Sequence, residues 1–104
     1  MDSRPVDIAT MRAAAAELLD DGAEPPTGVY LATLTDQLRG HLELLIFELE
    51  EHGCGDPLAK AGIGEARRRL SAGPSSLGPL RYAECLARSV VALCTHTERL
   101  TVTG

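Results

Sequence analysis

At 104 residues the chain has room for a single domain, 1–104, with one core of modest stability. Apolar residues make up 44 % and charged residues 24 %, which excludes a disordered chain, and no apolar run reaches the roughly 18 residues of a membrane span. A net charge of −5 argues against bulk nucleic-acid binding, and with no Trp, one Phe and two Tyr the core must be aliphatic.

Gly and Pro punctuation separates four periodic segments, which predicts an all-α four-helix bundle running up-down-up-down. The first helix is expected from Val6 to Asp20. Ile8, Met11, Ala15 and Leu18 recur on one face, Ala13 to Ala16 favour helix, Pro5 suits a first turn, and Asp21-Gly22 is a stop. Glu24-Pro25-Pro26 makes a stiff connection.

The second helix is expected from Gly28 to His52, with Thr27 as N-cap and Gly53 as stop. Leu38, Leu42, Leu45 and Leu49 share one face, while Leu44 and Phe47 point roughly the opposite way. A helix apolar on both sides belongs at the centre of a bundle or against a second chain. Gly40 costs about 1 kcal/mol relative to Ala and offers room for a close helix approach.

The third helix is expected from Pro57 to Ala72, started by Asp56-Pro57 and stopped by Gly73-Pro74, with a face of Ala59, Ile63, Ala66 and Leu70. The loop through Ser75-Ser76 leads to a fourth helix from Leu77 to Leu100, with Pro79 in its first turn. Ala83, Leu86, Val90, Leu93, Thr97 and Leu100 form its seam. Leu100 to Thr103 reads as a frayed tail.

The cysteines are Cys54, Cys85 and Cys94. An odd count and no signal peptide point to a reducing cytoplasm. Cys85 and Cys94 lie about 13 Å apart on one helix and cannot bridge within the chain, so both read as buried, inert thiols. Nine of the ten basic residues are Arg, and together with the Ala and Gly content this points to a high-GC genome.

The spacings leave no metal or cofactor to expect. Cys94 and His96 sit about 200° apart round a helix. Glu48 and His52, four apart, could share a metal, yet Leu49 stands where a Glu-x-x-His pair needs its Glu. Neither His-Glu-x-x-His nor Cys-x-x-Cys occurs. Cys85 and His96 are about 16 Å apart along the axis, too far for an activated nucleophile. Arg67, Arg68 and Arg69 point about 100° apart and form no single patch. They read as solvated charges with one drawn into a salt bridge, or else as an anion or partner contact.

A polar layer emerges when the helices are matched by level. Parallel second and fourth helices place Glu48 beside His96 and His41 beside Ser89, and an antiparallel third helix brings Arg68 near His41. These five residues either form a structural network that fixes helix register or line a ligand site.

Three blocks are specific in order and spacing: Leu38-Arg-Gly-His41 continuing to Leu45-Ile46 and Glu48; Gly64-Glu-Ala-Arg-Arg-Arg-Leu70; and Leu86-Ala-Arg-Ser-Val-Val-Ala-Leu-Cys94 with His96 and Glu98. Over nearly the whole chain they resemble a family of small proteins of unknown function from Streptomyces and relatives, loosely labelled natural-product-biosynthesis protein. Members carry Pro where this chain has Phe47, so here the second helix can run on straight. The resemblance implies an actinobacterial cytoplasmic protein and no particular mechanism.

Two functions remain. The first is a non-catalytic accessory or interaction protein, a homodimer meeting through Leu44 and Phe47, with an unidentified protein as a further partner and no nucleic acid or membrane. The second is a small-molecule-binding protein or enzyme built on the Arg68, His41, Glu48 layer. A large pocket lined by that layer would favour the second; exposed Leu44 and Phe47 would favour the first.

Overall fold

The computed structural model describes residues 7–22, 24–52, 55–74 and 77–103, with side chains through Leu100. Pro5, Val6, Gly53, Cys54, Ser75 and Ser76, on which parts of the sequence reading fall, lie outside the described residues. The helices are α1 (Ile8–Leu19), α2 (Gly28–Glu51), α3 (Pro57–Ala72) and α4 (Pro79–Thr103).

Three of the four starts have a local cause; Thr27 stands at the N-cap of α2 as expected but its side chain makes no capping hydrogen bond. The Asp7 carboxylate accepts from the Thr10 amide at 3.2 Å and the Thr10 hydroxyl at 2.8 Å, satisfying an otherwise orphaned donor of α1. Asp56 does the same for the Leu58 amide at 3.0 Å, with Pro57 as the first helical residue of α3. The α3–α4 connection turns at Gly73 (φ 75°) and Gly78 (φ 88°), conformations that favour glycine. Pro79 therefore opens α4, two residues later than the sequence reading places it. At its other end α4 runs on to Thr103, because no breaker precedes Gly104 and Thr and Val lower helix propensity by only tenths of a kcal/mol.

Cross-helix contacts set the directions. The Tyr30 hydroxyl on α2 donates to the Glu17 carboxylate near the end of α1. Arg67 of α3 meets Glu50 of α2 at 2.7 Å, while Arg39 of α2 reaches the end of α3 at Leu70. Arg69 bonds to Ser89, and Asp56 lies near His96, so α3 and α4 are antiparallel. The helices thus run up-down-up-down, with α2 and α4 parallel.

The central helix is α4 and not α2. Helices α1, α2 and α3 all pack on α4; α2 meets α1 and α3 less extensively, and α1 does not touch α3 among the described residues. The cross-section is a rhomb whose short diagonal is the parallel α2–α4 pair. The reason is the width of the apolar surface on α4. Ala83, Leu86, Ala87, Val90, Leu93 and Cys94 are all fully buried, and the small Ala83 and Ala87 admit close neighbours. From α2 the Leu34, Leu38, Leu42, Leu45 and Leu49 stripe fills the facing side. Gly62 marks the tightest approach among the described glycines, since a Cβ there would lie 3.3 Å from Leu93 Cδ2. A Cβ at Gly40 would meet nothing within 4 Å, so that glycine serves no contact within the bundle. No described helix is long and apolar enough to cross a membrane.

Leu45 and Leu93 lie fully buried on the two facing stripes. Leu45→Ala and Leu93→Ala should each destabilise the fold by about 2–5 kcal/mol in urea unfolding, through lost transfer energy and the cavity left behind.

Candidate functional site

The best-defined polar constellation sits where α3 ends against α2 and α4. The last carbonyls of a helix lack intrahelical partners. Here side chains from the two neighbours supply them. The Tyr82 hydroxyl, from the first turn of α4, donates to Arg69 O at 3.0 Å. Arg39 of α2 donates through Nη1 to Leu70 O at 3.2 Å and to the Tyr82 hydroxyl at 2.6 Å. Its positive charge also lies at the negative end of the α3 dipole. Arg69 then turns onto α4, donating through Nη1 to Cys85 O at 2.7 Å and Ser89 Oγ at 2.8 Å, and through Nη2 to Glu65 at 2.9 Å. Three helices are tied together by two guanidiniums and one phenol.

No hydrogen bond or ion pair joins any two of the five residues of the sequence-derived layer among the described residues. Ser89 is buried and receives Arg69; Arg68 is exposed on the next face of α3. Glu48 pairs with His52 one turn on, at 2.9 Å. His96 is mostly buried beside Asp56, and at 3.8 Å its Nδ1 is too distant for a hydrogen bond. His41 is half-buried on α2, and its Nδ1 is buried with no hydrogen-bond partner. Arg39 and Tyr82 have no site role in the sequence reading, and Arg69 stands there only in the run Arg67-Arg68-Arg69, of which two members and not one form salt bridges, Arg67 with Glu50 and Arg69 with Glu65. Arg69 did carry a signal: Gly62, Ala66 and Arg69 fall at i, i+4 and i+7, which puts Arg69 on the stripe facing α4 and Arg68 off it.

Burial is the leading cause of the shifts at His41 and Cys94. Desolvation lowers the His41 pKa from its ordinary 6.5. Cys94, fully buried, is pushed up from 9.0 to about 11, chiefly by desolvation and with the nearby Arg12 acting the other way, so it stays a neutral thiol. Cys85 is a half-buried free thiol. Among the described residues no group of three or more His, Cys, Asp or Glu is gathered to hold a metal ion.

Two surface features offer room for partners. The outer face of α2 leaves Leu44 40 % and Phe47 58 % exposed. Beside Phe47 lies a groove of about 280 Å³ lined by Glu43, Ile46, Glu50, Arg67 and Leu70. At the end of the bundle where α2 and α4 begin, a second groove of about 440 Å³ runs past Leu31, Ala32, Asp36, Arg39, Pro79 and Tyr82.

Arg69→Met should destabilise the protein by about 2–4 kcal/mol in urea unfolding, since it strips a charged donor from buried Ser89, whereas Arg68→Met should stay within about 0.5 kcal/mol of wild type. The lowered His41 pKa sets a pH dependence. Below its ordinary value the unfolded chain binds a proton that the folded chain resists, so stability falls as pH drops through about 6.5. Comparing unfolding midpoints at about pH 7.5 and about pH 5.5, His41→Phe should lose less stability than wild type.

Comparison with known proteins gives one family. No curated protein and no solved structure matches the chain. A family model does match, over residues 9–102, which takes in all of α2 and α3 and nearly all of α1 and α4. The chain belongs to a family of unknown function, DUF6415.

Proposed function

We propose that the protein is a non-catalytic accessory protein that works by protein–protein contact, as a homodimer joined through the outer face of α2. The observation that carries this reading is the exposure of Leu44 and Phe47, one turn apart, beside Gly40, whose Cβ position is open. Within the chain, Gly40 gives up about 1 kcal/mol of helix propensity and meets nothing in exchange. A second helix lying across that point would use the space.

A second copy is the occupant that fits best. Phe47 projects as an apolar knob directly beside the groove floored by Ile46 and Leu70. A two-fold axis brings the same patch onto itself, so each Phe47 can enter the other protomer's groove. Arg67 on the groove wall then lies near the acidic Glu43 and Glu50 flank of the partner helix, which limits like-charge repulsion across the contact.

The setting we propose is the cytoplasm of an actinobacterium, in association with natural-product biosynthesis. Its support is the Arg-dominated basic set and the resemblance of the Leu38–Glu48, Gly64–Leu70 and Leu86–Glu98 blocks to proteins carrying that label.

Light scattering tests the dimer. The wild type should run as a dimer at high micromolar concentration, and Phe47→Glu as a monomer with an unchanged far-ultraviolet circular dichroism spectrum. A monomeric wild type, or a variant that stays a folded dimer, would remove this reading.

A further inference from the structure

The groove at the start of α2 and α4 has an unusual charge arrangement. Asp36 and Arg39 are opposite charges three residues apart on one helix, a spacing at which such side chains normally pair. Here they do not. Arg39 is pinned elsewhere, with its Nη1 bonded to the Tyr82 hydroxyl at 2.6 Å and to Leu70 O at 3.2 Å. The remaining guanidinium nitrogens and the Asp36 carboxylate have no partner among the described residues. Both residues line the same groove, whose other walls include Leu31, Ala32, Pro79 and Tyr82, with the Thr35 hydroxyl already donating to Leu31 O. Its volume of about 440 Å³ is within the range of small-molecule sites.

We propose that this groove binds a free amino acid with a large apolar side chain. The guanidinium edge of Arg39 left open by its clamp receives the carboxylate, Asp36 receives the ammonium, and the apolar walls take the side chain. A carboxylate suits the planar fork of arginine, and holding that fork in place beforehand reduces the ordering cost of binding. Neither charged group has to break a bond to the protein to engage the ligand. The site lies apart from Phe47 and stands independently of self-association.

The chain has no Trp, so L-tryptophan is its own fluorescent probe in a titration of the full-length protein. Two relatives separate the charges: tryptamine lacks the carboxylate, and N-acetyl-L-tryptophan lacks the ammonium. Tryptophan should bind at least about tenfold more tightly than either, the scale of one lost charge-assisted contact. Arg39→Gln should weaken tryptophan and N-acetyl-L-tryptophan and leave tryptamine little changed. Ala32 is exposed on the groove wall, so Ala32→Phe fills the groove without disturbing the core and should abolish binding of all three. Equal binding of the three probes would mean an apolar groove with no reader of charge. Absence of tryptophan binding at millimolar concentration would also overturn the proposal, as would unchanged binding to Ala32→Phe, which keeps the test decisive if Arg39→Gln fails to fold.

Discussion

Everything in this bundle is referred to α4. The other three helices have their main contacts with it, and among the described residues α1 and α3 are joined only through it and α2. That follows from how much apolar surface α4 carries. Burying a Leu or Val side chain contributes about 1.5–3 kcal/mol, and α4 presents Leu86, Val90 and Leu93 together with small alanines that let partners approach from several sides. An aliphatic chain with one Phe and no Trp has few large side chains with which to fill gaps, so it relies on close helix spacing.

A helix packed on several sides creates a problem at the ends of its neighbours. Helix α3 stops against α2 and α4, where Leu70 O has no intrahelical donor and Arg69 O has the Gly73 amide alone, at 3.4 Å. Arg39 and Tyr82 add donors there, and Arg69 sends its own charge onto the buried Ser89. Since each guanidinium bonds to a backbone carbonyl of a different helix, these contacts fix axial register, which nonspecific apolar packing leaves soft. The exposed ion pairs, Arg12–Glu98 and Arg67–Glu50, contribute little by comparison.

The helices were legible in the sequence because the signals are local. Apolar spacing, Asp56-Pro57 and Gly73-Pro74 mark their own positions, and the Leu38 to Leu49 stripe is buried as its periodicity requires. The centre of the bundle was not legible in the same way. Helix α2 is apolar on two faces, but α4 has the wider continuous face, and which helix takes the middle depends on comparing surfaces rather than reading one. The members of the polar layer share no direct bond for a related reason. Matching levels gives height along an axis and ignores azimuth, so it selected Arg68 where the stripe through Gly62 and Ala66 leads to Arg69. Leu44 and Phe47 were singled out as a face apart from the seam, and they are exposed. The Asp36–Arg39 groove had no sequence signature, because opposite charges one turn apart normally announce an ordinary surface pair.

Gly62 has a mechanical consequence. A Cβ there would lie 3.3 Å from Leu93 Cδ2, and the residue stands seven positions, about 10 Å along the axis, from Arg69. Arg69 holds Cys85 O and Ser89 from the same stripe of α3. A methyl group at position 62 would press on the end of the Leu93 side chain, which must give by a few tenths of an ångström. Packing and hydrogen bonding thus share one stripe of α3, the first at a residue that has no side chain of its own.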